Sequence, residues 1–208
     1  RGAFLDGAAL AAQELGRGDL SLWLEKAWRV APDMLRLRRW LGSAPSKSAI
    51  RGRAVEALDA CPDAAHRQRA FLHVVLCDFT SAAKLLAEAP GLGWSGGEHP
   101  GHLIFPLFGA LLCERGEAAA AARAHETVVA DLLDAPRGGD GPSLVTPEVD
   151  EILRRVGVTR IGSARARRAS LAAMREAAEK RLAGVVENKR RNYYGHAASL
   201  VAARLACD

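Results

Sequence analysis

The stretch SARARRASLAAMREAAEKRLAGVVENKRR, residues 163–191, decides the fold class. Its apolar positions Leu171, Met174, Ala178, Leu182, Val185 and Val186 recur at steps of three and four, the spacing of one face of a helix. A long helix is therefore predicted from Ser163 to about Arg191. The same bias runs through the whole chain. Hydrophobic residues make up 49% and aromatic residues only 5%, so Ala and Leu carry the apolar content, which favours helix over sheet. No segment shows sustained two-residue alternation of β-branched residues. Val74-Val75 and Val128-Val129 sit within helical patterns. The predicted class is all-α, built of stacked antiparallel helical hairpins.

Outward from that helix, breakers and caps divide the chain. Residues 7–15 and 19–30 form a first pair around Gly16-Arg17-Gly18, with Asp19 as N-cap of the second member. Pro32 ends it, and Asp33 opens a short helix to about Leu41. Gly42 to Ser46 is a turn, 47–60 a helix stopped by Pro62, and 64–77 a helix after Asp63. Asp78 turns into 79–89. Pro90 to Gly101 is a loop, and a helix runs from about His102 to Glu114 with Pro106 in its first turn or kinking it. After Gly116, 117–134 is helical. Residues 135–145, with Pro136, Gly138, Gly139, Gly141 and Pro142, read as a flexible loop or hinge. Thr146-Pro147-Glu148 is a helix start, and that helix ends at Gly157. A last helix covers about 194–206. The expected organisation is a hairpin array over 1–134, the loop 135–145 and a basic helical region over 146–208.

The 208 residues suffice for one large domain or two small ones. No apolar run approaches the roughly 18–20 residues of a membrane span, so no membrane partner is expected. No signal peptide pattern opens the chain. Arg1 in place of Met fits a piece of a longer protein. Cys61, Cys77, Cys113 and Cys207 form no CxxC or CxC pair and read as thiols of a reducing cytosol, which gives a cytoplasmic expectation. The net charge of +5 is uneven: residues 1–150 hold 16 Lys+Arg against 19 Asp+Glu, and 151–208 hold 13 against 5. The basic end invites an anionic partner. Of the 29 basic residues 24 are Arg, which GC-rich coding produces equally well.

Three predicted helix starts share a pattern: a polar residue, a spacer, then paired alanines. They are Asp78-Phe79-Thr80-Ser81-Ala82-Ala83, Glu117-Ala118-Ala119-Ala120-Ala121-Ala122 and Asn192-Tyr193-Tyr194-Gly195-His196-Ala197-Ala198. Phe79 and Tyr194 each precede an alanine by three, which sets ring and methyl on one face. These segments, with Gly18-Asp19 and Leu24, Ala27 and Pro32, resemble the second helix of tetratricopeptide-type repeats. That resemblance implies a hairpin array that binds a peptide or protein on a concave face, and it requires Tyr194 to be buried. An irregular α-helical bundle is the alternative.

Glu151-Ile152-Leu153-Arg154-Arg155-Val156-Gly157-Val158-Thr159-Arg160 resembles the first helix and turn of bacterial helix-turn-helix regulators. The resemblance implies that Arg160, Arg165, Arg167 and Arg168 lie on or beside a groove-reading helix. Lys189-Arg190-Arg191-Asn192-Tyr193-Tyr194 is a second basic patch, suited to holding phosphates and stacking bases. Both read equally as solvated charge. His99 and His102 are the nearest approach to a metal motif, but no third ligand accompanies them. His73 and Cys77 stand one turn apart without an orienting group. With no catalytic set and no expected cofactor or metal, the leading expectation is a non-enzymatic module that binds a protein or peptide. Nucleic-acid binding through 151–208 is the alternative.

Overall fold

The computed structural model describes residues 1–16, 18–94, 96–112 and 143–207. The expected helix 117–134, Cys113, His125 and most of the loop 135–145 lie outside the described residues. Every regular element among the described residues is a helix. These residues divide into two compact units: one takes those of 1–62 and 134–158, the other those of 63–133 and 159–208.

The first unit contains α1 (Gly2–Leu15), α2 (Leu20–Val30), α3 (Met34–Gly42), α4 (Lys47–Ala60) and α8 (Val149–Val156). Short polar side chains start three of these helices by accepting a backbone N–H of the first turn. Asp19 takes Leu22 N–H at 3.1 Å, Asp33 takes Arg36 N–H at 2.7 Å and Ser46 takes Ala49 N–H at 3.2 Å. Trp28 and Trp40 stack at 5.2 Å between α2 and α3, beside the buried Leu37, Leu41 and Ile50. Arg53 of α4 ties the α3 end to α2, donating to Trp40 O at 2.5 Å and Ser21 Oγ at 2.6 Å.

Helix α8 packs on α3 and α4 through Val149, Ile152, Leu153 and Val156. Its start differs from the expected Thr146 cap. Thr146 Oγ1 instead accepts Arg39 Nε–H at 2.7 Å, Pro147 lies against Gly42, and the helix begins at Val149. The pull of Arg39, itself buried, outweighs a local cap. Gly157 ends α8 in the left-handed region at φ 76°, as expected of a Gly terminator.

The second unit contains α5 (His66–Val75), α6 (Phe79–Glu88), α7 (Gly101–Leu112), α9 (Ala164–Glu187), a 3₁₀ turn (Arg191–Tyr193) and α10 (Tyr194–Ala206). Asp78 caps α6 through Ser81 N–H at 3.1 Å, and Ser163 caps α9 through Ala166 N–H at 3.5 Å. Phe71, Leu72, Leu86, Ile104, Phe105 and Phe108 form the core, each buried side chain worth about 1.5–3 kcal/mol. Pro106 sits past the first turn of α7, because the helix already begins at Gly101, where Pro100 O takes Ile104 N–H at 2.9 Å.

Helix α9 lies against α6, α7 and α10. Its buried stripe is not the expected one throughout. Met174, Ala178 and Val185 are buried, but Leu182 and Val186 are exposed, and Ala166, Ser170, Ala173, Ala177 and Arg181 complete the inner face. Small side chains there let the chain after α6 come very close: a Cβ on Gly91 would stand 2.1 Å from Lys180 O. The basic region expected over 146–208 is thus divided, with 146–158 in the first unit and 159–207 in the second.

Candidate functional site

The two basic clusters stand at opposite ends of one helix. Arg165, Arg167 and Arg168 occupy the first turns of α9, with Arg160 just before it; Lys189, Arg190, Arg191 and Tyr193 follow its last turn. Its 24 residues at about 1.5 Å rise each separate the ends by roughly 36 Å. Between them, Arg175 pairs with Glu179 at 2.8 Å and Lys180 with Glu176 at 2.8 Å. The arginines therefore make two patches, not one face. Arg155 is used elsewhere, donating to Gly42 O at 2.5 Å and to Ala44 O.

At the N-terminal patch, Arg160, Arg165 and Arg168 are exposed and pair with no acidic residue among the described residues. The first turn of α9 carries no acid. Arg165 and Arg167 in that turn oppose the helix dipole, whose positive end favours anions. Arg167 is half-buried and donates to Leu112 O at 3.1 Å. Arg160, Arg167, Leu111, Leu112, Ile161 and Gly162 line a pocket of about 450 Å³. Helix α8 and α9, which the helix-turn-helix resemblance joined in one motif, fall in different units, and Ser163 caps α9 at its predicted start.

At the other end, α9 closes through Arg190 N–H to Val185 O at 2.8 Å and Lys189 N–H to Val186 O at 3.0 Å. Lys189 takes φ 51°, the left-handed position that usually belongs to glycine. Tyr193 is 45% exposed and Tyr194 42% exposed. The burial that the repeat pattern asked of Tyr194 is not met, although its counterpart Phe79 is buried beside Ala82.

The histidine loop is a packing device. His99 is buried, its Nδ1 accepts Gly101 N–H at 3.1 Å, and its Nε2–H donates to Pro90 O at 2.9 Å. Both ring nitrogens are thus engaged and the ring is neutral. Burial holds its pKa below the ordinary value, with Arg181 adding to the effect against the Pro90 hydrogen bond. Trp94 lies tilted against His99 at 4.8 Å and meets His196 edge-on at 5.1 Å. Among the described residues no three His, Cys, Asp or Glu side chains gather to hold a metal. His73 Nδ1 lies 3.1 Å from Asp78 Oδ2, an orienting carboxylate that sequence reading did not identify; Cys77 between them is exposed at φ 64°.

Sequence reading also missed Arg181. It is 4% exposed on the inner face of α9, donates Nε–H to His196 Nδ1 at 3.2 Å and Nη1–H to Gly91 O at 3.3 Å, and lies 5.1 Å from the Tyr193 ring. The available signal was a charge on the stripe Ser170, Met174, Ala177, Arg181, in step with the buried alanines. No family model, curated protein or solved structure matches the chain.

Proposed function

We propose that this chain is a non-enzymatic helical protein that binds the phosphate backbone of nucleic acid through the N-terminal end of α9. The observation that carries the reading is the set Arg160, Arg165 and Arg168: exposed, free of acidic partners among the described residues, and gathered at the start of α9, whose first turn carries no acid. Such an arrangement costs stability unless anions answer it. Phosphate contacts of this kind position a protein without reading sequence. Fluorescence anisotropy with a labelled duplex tests it. Three phosphate contacts give a log–log salt slope of about −2.7, so affinity should fall about 40-fold between 50 and 200 mM NaCl. The triple change Arg160→Glu, Arg165→Glu, Arg168→Glu should abolish binding. Equal binding by that variant, or none by the native chain at 50 mM NaCl, overturns the reading.

A second reading, a protein or peptide partner, is favoured by the outer stripe of α1. Phe4, Ala8, Ala11 and Leu15 recur at steps of four, three and four, with Phe4 77% and Leu15 70% exposed. Phe4→Ser with Leu15→Ser should then remove a partner that the arginine variant retains, read by crosslinking and co-purification.

A further inference from the structure

We propose that Arg181 and Trp94, which meet on His196, form an oxyanion site, covered by the Tyr193 ring, that takes a carboxylate or phosphate group. Arg181 carries a permanent charge, because a guanidinium does not deprotonate in proteins. It is 96% removed from solvent by the fold, yet its partners are a carbonyl, an imidazole nitrogen and a phenol ring, and no carboxylate pairs with it among the described residues. Buried cations are ordinarily paired, since a lone one is costly. Burial pulls the Arg181 pKa down, and only Tyr193 opposes it.

A second observation comes from a different element. Trp94 is 3% exposed, and its indole N–H has no hydrogen-bond partner among the described residues. Trp94 and Arg181 both abut His196, one at 5.1 Å between rings and the other through the 3.2 Å hydrogen bond. A buried guanidinium without a carboxylate and an unsatisfied indole N–H thus meet on one imidazole, a pair of donors suited to an anion. Entry is through Tyr193. Its half-exposed ring stands over the guanidinium from the short 3₁₀ turn, where side-chain rotation is fast. Lys189, Arg190 and Arg191 lead into that turn and raise the local anion concentration.

The test is an NMR titration of the whole chain at constant ionic strength, with inorganic phosphate in one arm, acetate in a second and chloride as baseline. The Trp94 indole N–H resonance, assigned by its loss in Trp94→Phe, should shift and saturate in one arm. Response to phosphate alone marks a phosphoryl ligand; response to acetate marks a carboxylate. Arg181→Met should weaken the response at least tenfold without lowering the melting temperature, because it removes an uncompensated charge. Tyr193→Ala, at an exposed position, should tighten binding severalfold by removing the ring that competes for Arg181. No saturable shift in either arm, an undiminished response in Arg181→Met, or weaker binding in Tyr193→Ala overturns the proposal. A fall in melting temperature for Arg181→Met with no ligand response in the native chain assigns Arg181 to a clamp on Gly91 and His196 instead.

Discussion

Gly91→Ala should damage the second unit more than any change of one methyl group elsewhere in that loop. The added Cβ would lie 2.1 Å from Lys180 O and 2.7 Å from its carbonyl carbon, both on the backbone of α9. Ordinary contact begins near 3.4 Å, so loop and helix must separate by more than 1 Å. Overpacking of this kind costs about 1–3 kcal/mol. The separation also stretches the 3.3 Å bond from Arg181 to Gly91 O and the 2.5 Å bond from Lys180 Nζ to Ala87 O. A hydrogen bond from a charged group contributes about 1.5–3 kcal/mol, and partial loss of two brings the total to about 2–4 kcal/mol. Urea unfolding followed by circular dichroism gives the magnitude. Hydrogen exchange gives the location: faster exchange in α6 and α9, with α1 to α4 unchanged. Gly97→Ala is the control, since nothing lies within 4 Å of its Cβ position. Gly184→Ala is the harder comparison. It gains about 1 kcal/mol of helix propensity and meets Gly91 and Leu92 only at 3.3 Å, so it should be nearly neutral. Stability of Gly91→Ala within 0.5 kcal/mol of the native chain would refute the reasoning, because the close approach of loop and helix would then not exist.

Further outcomes follow from other local features. Cys77 ends α5 with its N–H on Val74 O at 2.9 Å and Asp78 N–H on His73 O at 2.8 Å, a left-handed terminator filled by a residue with a Cβ. Cys77→Gly, and likewise Lys189→Gly, should stabilise by about 0.5–1 kcal/mol in denaturant titrations, the relief at φ > 0 exceeding the added freedom of the unfolded chain. His99 and His73 both have folded pKa values lowered from 6.5 chiefly by burial. The unfolded state therefore binds protons first: stability is full above about pH 6.5 and falls as pH drops from there toward the folded values. Unfolding free energies at pH 7.5, 6 and 5 should show this slope, and His99→Gln should flatten it. In the first unit, Arg36 grips Asp6 through Nε at 3.1 Å and Nη2 at 2.5 Å, partly shielded from water. Asp6→Asn should cost about 1–2 kcal/mol in the same assay, and the loss should shrink in 1 M salt.

Helix boundaries were legible because they are local. Asp19, Asp33, Asp78 and Ser163 each accept a backbone N–H three residues on, and Gly157 turns where a Cβ is unwelcome. Thr146 shows where that logic ends. Its hydroxyl had the right neighbours for a cap, but Arg39, distant in sequence and buried, claimed it. The face of α9 was legible only in part, for a related reason. Two stripes on that helix satisfy a three-and-four spacing, one through Leu171 and Leu182 and one through Ala173, Ala177 and Arg181. Periodicity alone favours the stripe with larger side chains. The structure buries Met174, Ala178 and Val185 of the first together with the second, whose small side chains permit the close approach to α6 and the Gly91 loop. Gly91 and Gly184 were the sequence marks of that approach, and they carry meaning only once the two segments are known to meet. Arg181 follows from the same choice. A guanidinium on a stripe of alanines reads as a surface residue until the alanines turn inward, and then it becomes the one permanent charge on the buried face of α9.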